Sequence, residues 1–240
     1  MAEISEQLYP FSSQFLELRG QRMHYLDEGP RDAPVVLMLH GNPTWSFYYR
    51  NLVKALRGQF RCIVPDHLGC GLSDKPDHQL YDYRLKSRVE DIDSLVRHLQ
   101  ITQPLTLVVH DWGGMIGFAW AVENPELIDR MVVLNTAAFP LPEDKKMPPA
   151  LCLVCDTALG AFLVARNNAY SGIAARVAFK KPVSKEVRED YKFPYDSPEN
   201  RIATLKFVQD IPLNESDPGF DILINTDERL HLLQDKPCLI

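Results

Sequence analysis

The stretch 105–122 constrains this chain more than any other. Leu105-Thr106-Leu107-Val108-Val109 has the length and β-branched content of a buried strand, His110-Asp111-Trp112-Gly113-Gly114 follows it, and 115–122 is apolar on nearly all sides. Strand, tight turn and buried helix is the reading that fits those patterns. Two adjacent glycines permit a sharp turn that side chains would block. Asp111 is then expected at the apex, pushed out of the sheet with a helix N-terminus behind it. A carboxylate so placed can attack carbon as a nucleophile and form an ester. The plainer role is an aspartate that caps the helix. The apolar strand before Asp111 and the tryptophan after it weigh toward chemistry.

The rest of the chain reads as the frame for that turn. Residues 15–19 and 21–27 alternate apolar and polar around Gly20, as an antiparallel hairpin at a sheet edge does. A continuous apolar strand is predicted at 35–39, further strands at 61–64 and 131–134, and helices at 46–56 and from Tyr83 through Leu85, Val89, Ile92, Leu95, Val96 and Leu99. Strands alternating with helices mean βαβ units and an α/β fold, a mostly parallel twisted sheet with helices on both faces. Residues 1–139 form this core. From 140 to 232 the alternation gives way to helical patterns broken by prolines, from Pro142 to Pro218, and a helical cap above the strand ends is expected. Residues 233–240 read as the start of a returning core strand, which leaves the core incomplete within this sequence.

Composition narrows the function classes. A chain of 240 residues with 45% apolar and 24% charged residues is an ordinary globular protein with room for one large core or a core plus a subdomain. A net charge of −6 argues against a nucleic-acid or anionic-membrane surface. The longest apolar runs, 150–155 and 158–165, are too short to span a bilayer. The polar, acidic N-terminus carries no signal peptide, and five cysteines are an odd number, so reduced thiols and a cytoplasmic location are expected. Cys152 and Cys155 form a C-x-x-C with no second ligand pair and read as packing on one helix face. Gly69-x-Gly71 lacks the third glycine of a dinucleotide fingerprint, and no histidine-acid cluster has metal-ligand spacing. The expected partners are a small apolar organic substrate and water, with no cofactor and no metal.

Two donors accompany the carboxylate. Trp112 offers an indole N–H, and Asn42, in the loop after strand 35–39, offers a side-chain amide. Both loops leave a parallel sheet at its carboxyl edge, where ligands bind. Two donors flanking one carboxylate can stabilise a leaving halide or an oxyanion, and the backbone N–H groups of Asn42 and Trp112 are placed to form an oxyanion hole. The bland readings are a core aromatic for Trp112 and a turn residue before Pro43 for Asn42. His40 and His110 sit at strand ends and read as structural, and Asp66 and Asp74 as carboxylates that brace a loop.

Three motifs carry a family resemblance: His40-Gly-Asn-Pro-Thr-Trp-Ser46, Pro65-Asp-His-Leu-Gly-Cys-Gly-Leu-Ser-Asp-Lys-Pro76 and Val109-His-Asp-Trp-Gly-Gly114. In order and spacing the chain resembles the haloalkane dehalogenase family of α/β-hydrolases over roughly residues 15–140. The resemblance implies an α/β-hydrolase fold, Asp111 as nucleophile, and Asn42 and Trp112 as halide-holding donors. Phe47-Tyr-Tyr-Arg50, Asn135-Thr-Ala-Ala-Phe139 and Asn200-Arg-Ile-Ala-Thr-Leu-Lys-Phe-Val-Gln-Asp-Ile-Pro212 resemble the β-lactone decarboxylases of long-chain olefin biosynthesis, which share the Asp elbow. The family mechanism also needs a base histidine and an acid. Asn135, where some relatives place the acid, cannot ionise, so both are expected beyond residue 240, and this chain is expected to form an ester without turning it over. Carbon–halogen cleavage is the leading expectation. β-Lactone decarboxylation and a non-catalytic hydrolase-fold fragment or binding protein stay open beside it.

Overall fold

The computed structural model describes residues 4–140, 157, 162, 172 and 179–240. The C-x-x-C pair and the first part of the expected cap lie outside the described residues.

Seven strands form one sheet: β1 (Ser13–Leu18), β2 (Gln21–Glu28), β3 (Val35–Leu39), β4 (Arg61–Pro65), β5 (Leu105–His110), β6 (Ile128–Leu134) and β7 (Cys238–Leu239), in the order β1-β2-β4-β3-β5-β6-β7. β1 and β2 pair antiparallel, as does β2 with β4, whereas β4, β3, β5, β6 and β7 run parallel. Alternate residues of β3 feed two cores. Leu37 and Leu39 join Ile92, Leu107, Val109 and Ile116 on one face, and Val36 and Met38 join Trp45, Phe47, Val53 and Val108 on the other. A strand buried on both faces must be apolar at every position, which is why β3 and β5 carry continuous apolar runs.

Helices α1 (Arg50–Leu56), α2 (Leu85–His98) and α3 (Trp112–Glu123) make the crossovers. The helix expected over 46–56 begins as a 3-10 turn at Ser46–Tyr49, with α1 following. A tightened first turn is common where a helix start is pinned, and here Asp66 accepts the Ser46 N–H at 2.6 Å. After β3 the chain passes through α1 to β4 on one side, then crosses through α2 to β5 on the other side of β3. The loops that leave β3 and β5 therefore diverge and open a crevice at the carboxyl edge.

Later come α4 (Lys185–Lys192), α5 (Ile202–Gln209) and α6 (Phe220–Arg229). Ser184 caps α4 by accepting the Val187 N–H. α6 lies along α3, where Glu123 accepts from Asn225 at 3.0 Å and pairs with Arg229. Asp210, at the end of α5, accepts the Leu85 N–H at 2.7 Å and pairs with Arg84 at 2.7 Å, so it caps α2 from a distance of 125 residues. No described helix is long and apolar enough to cross a membrane.

One buried polar network ties the edge hairpin to the parallel sheet. Asp66, fully buried, accepts from His24 Nδ1 at 2.8 Å and from the N–H groups of Ser46 and Leu72, and Tyr9 reaches the same knot through Ser46 at 2.6 Å. Burial pushes the Asp66 carboxyl up, but His24, His40 and the backbone donor outweigh it and hold the group below its ordinary value. A depressed carboxylate contributes stability above its unfolded value of about 3.9 and loses it as pH falls further, through the folded value. Asp66→Asn is expected to cost about 3 kcal/mol at neutral pH. It should also flatten the loss of stability below about pH 4, as read from urea unfolding between pH 3 and 7.

Candidate active site

Asp111 takes the turn itself. Its φ is 51° and its ψ is −127°, a conformation that costs a non-glycine residue roughly 1–3 kcal/mol and persists only where the surroundings impose it. Gly113 and Gly114 do not supply the bend, contrary to the sequence-based expectation: neither has a positive φ, and both lie in the first turn of α3. Their role is close approach. A Cβ on Gly113 would overlap the Leu39 and His40 carbonyls at the end of β3, so α3 starts directly against that strand. Gly41 plays the same part opposite, where a Cβ would overlap the Asp111 carboxyl. The Asp111 carbonyl is pinned by the Gly114 N–H at 2.8 Å and by the Thr136 hydroxyl.

The Asp111 side chain makes no cap bond to α3. Its Oδ1 instead accepts the backbone N–H of Asn42 at 2.7 Å. Burial raises its pKa, and the backbone N–H groups of Trp112 and Asn42 pull the other way without cancelling the rise. The two N–H groups expected as an oxyanion hole thus already face the carboxylate. Among the described residues, no side chain hydrogen-bonds to it.

The two side-chain donors are brought beside it, each tied to α5. Asn42 Nδ2 donates to the Thr204 carbonyl at 2.9 Å, so one of its two N–H bonds is taken, and its Oδ1 is buried without a partner among the described residues. The Trp112 ring packs on Phe207 at 5.1 Å and is buried, and its indole N–H has no hydrogen-bond partner among the described residues. The Asn42–Pro43 peptide is cis.

The histidines are structural in their geometry. His40 Nδ1 lies 2.9 Å from the Gly41 carbonyl and its Nε2 accepts the His67 N–H at 3.2 Å, an arrangement that needs a neutral ring. Burial lowers the pKa of His40, in accord with that. His110 stacks on Tyr48 at 4.4 Å with 16° between the planes, its Nδ1 has no partner among the described residues, and burial lowers its pKa. Asp66 and Asp74 brace loops, Asp74 by accepting the Arg22 N–H at 2.9 Å. No cluster of three metal-type ligands occurs among the described residues. Sequence reasoning missed Thr136, Thr204 and Phe207 as parts of the site. Thr136 carried a signal, since it lies two residues after the end of β6. Tyr48, whose phenol is pushed up by burial, Tyr191 and the Asp111 charge, was visible only inside the aromatic run 47–49.

The profile of the alpha/beta hydrolase fold matches residues 34–169. The chain is 51% identical to a cis-3-alkyl-4-alkyloxetan-2-one decarboxylase of Shewanella oneidensis over 97% of its own length and 73% of the relative's. The chain belongs to the α/β-hydrolase fold family. Within this family of enzymes it groups with haloalkane dehalogenases and their decarboxylase relatives. It is 35% identical to a haloalkane dehalogenase of Mycolicibacterium paratuberculosis over 88% of this chain and 69% of that one. A crystal structure of a haloalkane dehalogenase from Bradyrhizobium elkani superposes with a TM-score of 0.82 at 25% identity, covering 95% of this chain and 88% of that one.

The strained elbow of this α/β-hydrolase has a measurable cost. Asp111→Gly relieves a positive φ and is expected to raise unfolding stability by about 1 kcal/mol. Gly41→Ala crowds the carboxyl and should lower it by about 1–3 kcal/mol. Urea unfolding of both variants measures this, and a destabilised Asp111→Gly protein would overturn the account of strain at the elbow.

Proposed function

We propose that Asp111 is a nucleophile toward carbon, with Trp112 and Asn42 as donors to the departing group, and that the substrate is an apolar β-lactone. The observation that carries the nucleophile is a carboxylate on a strained elbow, held by backbone N–H groups and not engaged in capping its helix. The 51% identity to the decarboxylase, over an alignment that covers 97% of this chain and so spans the cap stretch as well as the core, favours the lactone. The described helices α4 and α5 are read as part of a cap over this pocket. The acidic net charge and the buried free thiols of Cys62 and Cys70 support a cytoplasmic setting.

The steps balance without water. Asp111 Oδ2 attacks the ring carbon that bears the lactone oxygen. The C–O ring bond breaks with its electron pair on oxygen, and the new carboxylate accepts from Trp112 and Asn42. Loss of CO₂ then sends the C–C bonding pair into a C=C bond and expels Asp111 as a carboxylate. The products are an alkene and CO₂, and the nucleophile is regenerated without a base.

Carbon–halogen cleavage, the second reading, is favoured by the haloalkane dehalogenase relatives and uses the same attack. The C–O bond forms as the carbon–halogen bond breaks, and halide leaves with the electron pair. The resulting ester then needs a base-activated water. Among the described residues no histidine hydrogen-bonds to Asp111, so this chain is expected to stop at the ester.

Incubation with a dialkyl β-lactone and with a bromoalkane separates the readings. The expected results are repeated alkene release from the lactone and a single alkyl adduct, seen by intact-protein mass spectrometry, from the bromoalkane. Halide release with no alkene from the lactone would remove the lactone reading. An adduct that persisted in Asp111→Asn would remove Asp111 as nucleophile. Because burial raises its pKa, the rate should fall with acid at a pH above the ordinary aspartate value of about 3.9.

A further inference from the structure

Arg88, on α2, is 1% exposed, and its Nε, Nη1 and Nη2 have no hydrogen-bond partner among the described residues. A guanidinium carries five N–H donors, and a buried charge without hydrogen bonds calls for a physical reason. The nearby carboxylates are committed elsewhere. Asp91 accepts from the Tyr81 hydroxyl at 2.6 Å and lies 3.7 Å from Arg19, while Asp210 binds Arg84 and the Leu85 N–H, each at 2.7 Å.

What the guanidinium meets is ring faces. Its Cζ lies 3.5 Å from the centroid of Phe207 and 5.6 Å from that of Tyr83. The Phe207 ring is the one that packs on Trp112 at 5.1 Å, and it also meets His67 at 6.1 Å. A cation stacked on an aromatic face in a desolvated setting fixes that ring strongly. The same short helix holds the Asn42 amide through the Thr204 carbonyl. An apolar side chain in place of Arg88 would fill the volume but would not pin the ring.

We propose that Arg88 is a positioning residue for the leaving group: stacked on Phe207, it sets the orientation of the Trp112 indole N–H. This assignment rests on Trp112 being the leaving-group donor proposed above, whereas the orientation of its ring is tested without any reaction.

The test uses the whole chain, ¹⁵N-labelled, and follows the indole N–H resonances of its three tryptophans, with Trp112 assigned through Trp112→Phe. In Arg88→Met the Trp112 resonance is expected to shift or split while Trp45 and Trp120 stay in place. Arg88→Lys, which keeps the charge and loses the planar stack, should move it by less and serves where the Met variant does not fold. Sodium bromide titration should show about tenfold weaker binding at Trp112 in Arg88→Met. Movement of all three resonances together, or of none, would overturn the proposal, the first because it marks a merely structural role. A wild-type Trp112 resonance indifferent to bromide would count against the leaving-group reading itself, and the unliganded spectra would still judge Arg88.

Discussion

The site depends on how closely α3 starts against the end of β3. Gly113 abuts the Leu39 and His40 carbonyls, so β5 has one residue in which to turn into the helix. That residue is Asp111, and it takes a left-handed φ to do so. The Gly114 N–H and the Thr136 hydroxyl on its carbonyl hold the backbone in that state. Strain at a catalytic candidate is therefore a consequence of sheet packing. The two strands whose loops diverge around the crevice are the two that are forced together.

Helix α5 completes what the sheet begins. Thr204 holds the Asn42 amide, Phe207 walls Trp112 and takes the Arg88 stack, and Asp210 caps α2. One eight-residue helix thus fixes both side-chain donors and anchors itself on the core. Asp111, the proposed nucleophile, is placed by the sheet, and the proposed donors Asn42 and Trp112 are fixed by a segment about ninety residues further along the chain than Asp111.

The parts legible in the sequence are those with a local period. β3 and β5 read as buried parallel strands because both faces are covered, and α2 because its apolar residues recur every three or four positions. Asp111 was legible because an apolar strand, an acid and paired glycines adjoin. The purpose of the glycines was not, since close approach depends on β3, more than seventy residues earlier, and a glycine pair looks the same whether it bends or merely makes room. Asn42 was identified as a donor, but its amide is half committed to Thr204, a partner 162 residues away. Arg88 sat within an ordinary amphipathic helix, where an arginine reads as surface. Only the fold shows it buried on Phe207, because a stack between distant residues leaves no periodic trace.

The raised pKa of Asp111 weighs differently on the two chemistries. Burial makes the carboxylate a more basic and less solvated nucleophile, which assists attack on either substrate. In the halide case attack is followed by hydrolysis, so the aspartate never has to leave carbon, and a basic carboxylate carries no penalty. In the lactone case the aspartate must itself be expelled as CO₂ departs, and a more basic group leaves less readily. The backbone N–H groups of Asn42 and Trp112 counter this by stabilising the carboxylate as it forms. These N–H groups are fixed to the same backbone that imposes the strain, so they act at the nucleophile in both the attack and the expulsion. The Asn42 N–H at 2.7 Å on Asp111 Oδ1 would serve a nucleophile that must also act as a leaving group, and the same donor would serve the oxyanion of ester hydrolysis in the halide case.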